Sequence, residues 1–211
     1  MPVNLWAYAA VTVPFVAIPG VSTTLVLRNS IVGGVRAGVA TAVGVNLSSI
    51  GYGLLTAFGV SMALQRWPGV WTTMRAAGVG YLAWLGLRSL WRAARGVDAA
   101  LPAAGLDGAA GPVRRPLVDD AREGFVTNLL NPSIATFYLL VVPQFIPRDA
   151  PFAASALLLT AVHVTLAVSW HLTWAAAGGS LAVVLNRARP RRILEAAAGL
   201  ALLVLAVKLA F

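Results

Sequence analysis

Two helix-breaking pairs stand inside long apolar runs: Pro19-Gly20 and Asn131-Pro132. Proline removes a backbone donor and clashes with the preceding turn, glycine loosens the next one, and the residue before a proline is pushed out of the helical region. Each pair therefore predicts a kinked or broken helix. In hydrocarbon, the backbone groups freed by a break must face protein or a watery cavity. The half-helix that resumes after it presents a positive dipole end, which suits an anion such as a carboxylate. Ser22, Thr23 and Thr24 follow the first pair and Ser133 follows the second, so their hydroxyls complete a candidate binding site. A single kink is readily explained by helix packing. Two at matching places favour a substrate site between broken helices.

Other polar residues lie in the same apolar surroundings. Asn46, Asn128 and Asn131 either line a cavity or tie helices together by hydrogen bonds. Asn128 and Asn131 are three apart, which predicts one shared helical face. His163 and His171 are the sole histidines, eight residues apart, or about 80° around a helix. Without a neighbouring Cys, Asp or Glu they make a poor metal site. A structural hydrogen bond or an interfacial position is the favoured role, and a proton relay is the alternative. Arg75 either attracts an anionic group or snorkels outward, and Glu195 is read as an interfacial partner of Arg191 and Arg192 before a proton carrier. No phosphate loop, zinc-binding helix or nucleophile–base pair is present, so the sequence predicts neither an enzyme nor a bound cofactor or metal.

The elements that must position these residues follow from composition. Of 211 residues, 59% are hydrophobic and 11% charged, with a mean hydropathy of +0.80. A water-soluble globule carries about 25% charged residues, so the chain reads as an all-α integral membrane protein. The absence of cysteine excludes a disulfide scaffold and thiol chemistry. The net charge of +9 is not a nucleic-acid footprint, because the arginines fall between apolar runs. Six spans are expected, near 5–27, 38–64, 70–90, 124–146, 153–184 and 193–211. The N-terminus lacks a basic leader and is read as a retained first span.

Loop charge sets the expected orientation. Arg28 and Arg36 follow span 1. Arg88, Arg92, Arg95, Arg114, Arg115 and Arg122 follow span 3, and Arg187, Arg189, Arg191 and Arg192 follow span 5. The alternate loops hold only Arg66 and Arg148. Spans 1, 3 and 5 should end in the cytoplasm, leaving both termini outside. Residues 96–122, rich in Ala, Gly, Pro and Asp, are expected to be a solvated cytoplasmic linker that includes Asp98, Asp107, Asp119 and Asp120. It would join a first three-helix repeat, 1–95, to a second, 123–211. Three spans per half is an odd number, so two homologous halves must be inverted, as in many secondary transporters. In span 2, Ala40, Gly44 and Ser48 recur every fourth residue, as do Ser49, Gly53 and Ala57, which permits close helix crossings.

Several stretches together resemble the LysE/RhtB family. They are Pro19-Gly20, Arg28-Asn29-Ser30 and Gly34-Val35-Arg36-Ala37-Gly38 in the first third, and Gly78-Val79-Gly80-Tyr81-Leu82-Ala83-Trp84-Leu85-Gly86 in span 3. After the linker come Gly124-Phe125-Val126-Thr127-Asn128-Leu129-Leu130-Asn131-Pro132 and Pro143-Gln144-Phe145. The resemblance spans both halves. It implies a bacterial inner-membrane exporter of amino acids or similar small metabolites, driven by the proton gradient. Its partners would be that solute and the lipid bilayer, with no nucleic acid, and homo-oligomer formation is left open. Two departures are visible: Val21-Ser22 where the family has Pro and often an acid, and Ser133 where it has Lys. The competing readings are a channel or ion exporter of the wider superfamily and a non-transport membrane assembly protein.

Overall fold

The computed structural model describes residues 3–18, 20–60, 63, 67, 69–95, 115–185 and 188–210. Its described elements are helical throughout. Helix α1 (Leu5–Ala17) is capped by Asn4, whose side chain accepts from the Ala7 amide at 3.0 Å. It stops where Ile18 turns extended (φ −66°, ψ 117°), the residue ahead of Pro19. Helix α2 (Val21–Gly33) resumes after the extended Gly20, and its axis is bent 49° from that of α1. Gly34, at φ +82°, then makes the turn into α3 (Val35–Leu54), a backbone conformation open to glycine at no steric cost. Gly33-Gly34 thus forms the hinge between α2 and α3. Arg28, however, lies inside α2 rather than in a loop.

A π-helical turn, Leu55–Val60, extends α3, and α4 covers Val70–Arg95. Helix α5 (Leu117–Leu129) begins within the expected linker, so Asp119 and Asp120 form its first turn rather than a solvated acidic stretch. Carboxylates there complement the helix dipole, a sufficient reason for the early start. Residues 96–114 lie outside the described residues. Helix α6 (Pro132–Thr136) follows a break at Leu130 and Asn131, then passes through a π-helical turn (Phe137–Val141) and a 3-10 turn (Val142–Phe145), the whole bent 57° from α5. The long α7 (Phe152–Leu185) and α8 (Ala188–Ala210) complete the chain.

Among the described residues, two helices are long and apolar enough to cross a membrane, Val35–Val60 and Phe152–Ala177, and up to four if each bent pair is one span. Both expected breaks are present, but the second overturns one expectation. Because α5 ends at Leu129, Asn128 and Asn131 do not share a helical face.

Two apolar clusters hold the helices together. One gathers Tyr8, Val11, Leu82, Phe137, Tyr138, Leu159 and Leu202 from α1, α4, the turn after α6, α7 and α8. The other joins Val26, Leu27, Ala42, Val45 and Trp174 from α2, α3 and α7. Large apolar side chains also face outward, Trp6 at 88% exposure and Phe58, Trp84 and Val204 at half or more, as a lipid-facing surface would. The small residues of α3 serve close crossings as expected. A Cβ on Gly44 would strike the Ala121 carbonyl and the Phe125 amide of α5, and one on Gly124 would strike Thr41 of α3.

Backbone cannot yield as a side chain does, so Gly44→Val should cost more than the ~1–3 kcal/mol of ordinary overpacking. Gly51, with nothing within 4 Å of its missing Cβ, is the control. In detergent melting followed by size-exclusion fluorescence, Gly44→Val should lower Tm by several degrees or abolish the monodisperse peak. Gly51→Ala should leave Tm unchanged or raise it slightly. Equal melting of the two variants would contradict the close crossing.

Candidate functional site

The two helix breaks meet at one cavity of about 220 Å³. Gly20, Ser22 and Thr23 line it from the start of α2, Asn131 and Ser133 from the second break, Asn128 from the end of α5, and His163 and His171 from α7. Eight of the fourteen residues singled out from sequence are therefore brought together, and Thr24 does not line the cavity. Of the others, Asn46 stands behind the cavity, bonded to His171, and Pro132 sits at the first position of α6 without lining it. Pro19 and the side chains of Arg75 and Glu195 lie outside the described residues.

The α2 end of the cavity can receive an anion. Gly20 is the N-cap of α2 and supplies no side-chain bond, and the first amide held by the helix is that of Thr24, on the Gly20 carbonyl at 2.9 Å. The amides of Val21, Ser22 and Thr23 belong to the first turn, which has no acceptors within the helix itself. Arg88 and Arg92 of α4 line the same cavity, and none of its described lining residues is acidic. The site is electropositive and suits a carboxylate. The remaining wall is largely apolar: Phe15, Val16, Ile18, Leu85, Ile134 and Ala167. A small solute with a carboxylate and an apolar body matches that distribution.

Asn128 is both wall and tie. Its Oδ1 accepts from Ser22 Oγ at 2.7 Å, and the two hydrogens of its Nδ2 are shared among the Val45 carbonyl (3.0 Å), Ser48 Oγ (2.6 Å) and Ser49 Oγ (3.1 Å). This fully buried amide joins α2, α3 and α5 and has little capacity left for a ligand. The second break is held in a similar way. The Asn131 side chain accepts from the Ser133 amide at 3.0 Å, and Tyr52 Oη donates to the Leu129 carbonyl, freed at the end of α5, at 2.6 Å.

The histidines have different surroundings. Asn46 Nδ2 donates to the Ala42 carbonyl at 2.7 Å, which fixes the amide's orientation, and the same nitrogen lies 3.1 Å from His171 Nδ1. That Nδ1 is then an acceptor, and neutral His171 carries its proton on Nε2. His163 is 1% exposed and its Nδ1 has no partner. Phe15, Phe137 and Tyr138 surround its ring at centroid distances of 6.3, 5.1 and 5.0 Å. Trp174, four-square against Trp170 at 5.8 Å and 82°, is fully buried and serves packing.

Sequence reasoning missed Arg88 and Arg92 by placing them in the loop after span 3. The helix runs on to Arg95, and their i, i+4 spacing within Leu87, Leu90 and Trp91 was the available signal of one shared helical face. It also missed a second, more polar cavity of about 560 Å³ at the far end of α2, lined by Arg28, Asn29, Arg36, Arg115 and Asp120 among others. Beside it Glu123 accepts from Arg28 (3.2 Å), Arg115 (3.5 Å) and Asn29 (3.3 Å), tying α2 to α5.

Residues 13–211 match the family model described as LysE type translocator. The chain is 29% identical over 163 residues to the leucine efflux protein of Enterobacter sp. (strain 638), covering 77% of this chain and 73% of that one. It is 27% identical over 177 residues to the leucine efflux protein of Salmonella choleraesuis (strain SC-B67), covering 84% and 79%. It is also 26% identical over 169 residues to the uncharacterized membrane protein YrhP of Bacillus subtilis (strain 168), covering 80% of each. No solved structure matches the chain.

Proposed function

This chain belongs to the LysE type translocator family, a family of multi-pass membrane transporters rather than enzymes, and on that premise we propose that it exports amino acids with apolar side chains across the bacterial cytoplasmic membrane. The observation that carries this reading is the cavity at the two helix breaks. It has the first-turn amides of α2 and Arg88 for a carboxylate, and an apolar wall for the side chain. The efflux relatives, named for leucine, point to the same substrate class. A channel would need a continuous polar path, and the apolar wall argues for a site that binds its solute instead.

The topology we propose is six spans in two inverted three-span repeats, with both termini outside. Supporting it, each half is a bent pair followed by two further helices: α1/α2, α3, α4 and then α5/α6, α7, α8. The packing has the reciprocity of a two-fold. Helix α4 lies on α8 and α3 on α7, and the broken span of each half lies against the second helix of the other. A Cβ on Gly86 would strike the Gly199 carbonyl and one on Gly199 the Gly86 carbonyl, the reciprocal contact that a two-fold axis demands. Alternating access would rock one half on the other around the cavity, with proton entry driving export.

The test is metabolite analysis of medium from expressing cells, against an Asn131→Ala/Pro132→Ala variant at matched membrane abundance. That variant removes both the cap and the constraint that keep α5 and α6 apart. Accumulation of leucine or related amino acids outside the wild-type cells alone supports the reading. Identical media across growth conditions would refute it.

A further inference from the structure

We propose that the second cavity, at the turn between α2 and α3, binds the headgroup of an anionic membrane phospholipid, phosphatidylglycerol, with its phosphodiester on the arginines and a glycerol hydroxyl on Asp120. The inference does not rest on the exporter reading. This cavity of about 560 Å³ shares no lining residue with the solute cavity.

Arg28, Arg36 and Arg115 line it with a single described acid, Asp120. Glu123, beside it, already binds Arg28 and Arg115. Arg36 is exposed and has no acid partner among the described residues. Three cations against two carboxylates leave one positive charge, the complement of one phosphodiester. Guanidinium forks match phosphate oxygens in geometry as well as charge. The backbone adds donors. Gly34 caps α3 without a side-chain bond, and the Ala37 amide, 3.0 Å from the Gly34 carbonyl, is the first one the helix holds. The amides of Val35 and Arg36 come before it, in a turn that has no acceptors within the helix. Nothing lies within 4 Å of the place that a Cβ on Gly34 would take, so an anion can approach this backbone.

Asp120 asks for more than an anion. It is 3% exposed, lines the cavity, and makes no hydrogen bond or ion pair among the described residues. A buried carboxylate without a donor is costly, and a ligand that carries a hydroxyl supplies one. The charge count favours that hydroxyl over an ammonium, since a zwitterionic headgroup would leave the surplus positive charge in place. The setting favours a lipid over a soluble phosphate ester. Two candidate spans begin at this cavity, Val35–Val60 and the bent pair that starts at Leu117, so it lies at headgroup level. Val32, Val35 and Leu117 line it and are 36%, 51% and 50% exposed, an apolar rim along which acyl chains can lie. On the proposed topology the site faces the inner leaflet. A lipid held there would brace the α2–α3 turn against the start of α5.

The experiment uses the delipidated full chain in dodecyl maltoside, with Tm followed as each probe is titrated in. The probes are phosphatidylglycerol, phosphatidylmethanol, phosphatidylcholine and glycerol 1-phosphate. Phosphatidylmethanol has the same phosphodiester and charge as phosphatidylglycerol but no headgroup hydroxyl. Phosphatidylglycerol should raise the wild-type Tm saturably, and phosphatidylmethanol should bind about tenfold more weakly. Phosphatidylcholine and glycerol 1-phosphate should have no effect at the same concentrations. Arg36→Gln should weaken phosphatidylglycerol about fivefold. Arg122→Gln, the same change of charge on α5 outside the cavity, should not. Asp120→Ala should bind phosphatidylglycerol and phosphatidylmethanol alike. Equal binding of those two lipids by wild type would overturn the proposal, as would equal weakening by Arg36→Gln and Arg122→Gln, the mark of diffuse attraction. Stabilisation by glycerol 1-phosphate to the same degree would overturn the lipid in favour of a soluble phosphate ester. Should Asp120→Ala fail to fold, the wild-type lipid comparison and the exposed Arg36 decide.

Discussion

Arg88→Gln is expected to raise the half-saturating concentration of exported substrate by about tenfold with little change in maximal rate. Arg88 lines the cavity, and its guanidinium lies 5.1 Å over the Trp84 ring, which holds the flat fork in place. A charge-assisted hydrogen bond to a carboxylate contributes about 1.5–3 kcal/mol, and each 1.4 kcal/mol is about tenfold in affinity. Because Arg88 is exposed, the bottom of that range applies. Binding lost equally from the ground and transition states raises KM alone. Arg88→Lys keeps the charge and loses the fork and the stacking, so it should fall between. The amide of the same amino acid separates this from general damage. Lacking the carboxylate, it should bind wild type weakly and Arg88→Gln no worse. Equal losses for acid and amide would remove Arg88 from the carboxylate site.

Both breaks could be read from single residues because their causes are local. Pro19 and Pro132 act on the residue before them, and Ile18 and Asn131 are both extended. Local rules also found the hydroxyls beyond each break, and those of Ser22, Thr23 and Ser133 meet in one cavity, which Thr24 does not line. What sequence could not give was set by distant partners. Asn128 and Asn131 share a wall despite sitting on different helices, because the bend after α5 brings them together, not helical periodicity. By residue type Asn46 is as good a cavity candidate as either, yet its place is decided by Ala42 and His171. Arg88 and Arg92 were assigned to a loop because charge density was allowed to end span 3, whereas α4 carries its basic residues to its own last turn, where the dipole favours them. The start of α5 was missed for the mirror-image reason, since Asp119 and Asp120 signal a helix N-terminus as readily as a solvated linker.

Asn128→Ala should give the largest loss of stability of any single substitution in the cavity wall. Its amide meets four groups at once, Ser22, Val45, Ser48 and Ser49, all buried. Ser48 and Ser49 keep their own bonds to the Val45 carbonyl at 3.0 and 3.3 Å, so they are not orphaned by the change. Among the described residues Ser22 has no such reserve, and its hydroxyl bonds the first turn of α2 to α5. Interhelical bonds in membranes average about 0.6 kcal/mol and reach about 1.7, and an unsatisfied buried polar group costs about 1–3 kcal/mol. Together these predict a clearly lower Tm for Asn128→Ala and a smaller drop for Ser22→Ala, which removes one bond and leaves the other three. Transport should follow a different order. Both substitutions free the first turn of α2, where we propose that the carboxylate binds, so both should raise KM by a similar factor. Melting curves and KM measured on the same purified variants test the two orders together. If Ser22→Ala proved as unstable as Asn128→Ala, the four-way tie would not be what holds α3 to α5. If Ser22→Ala melted mildly lower but kept wild-type KM, the start of α2 would not be where the carboxylate binds.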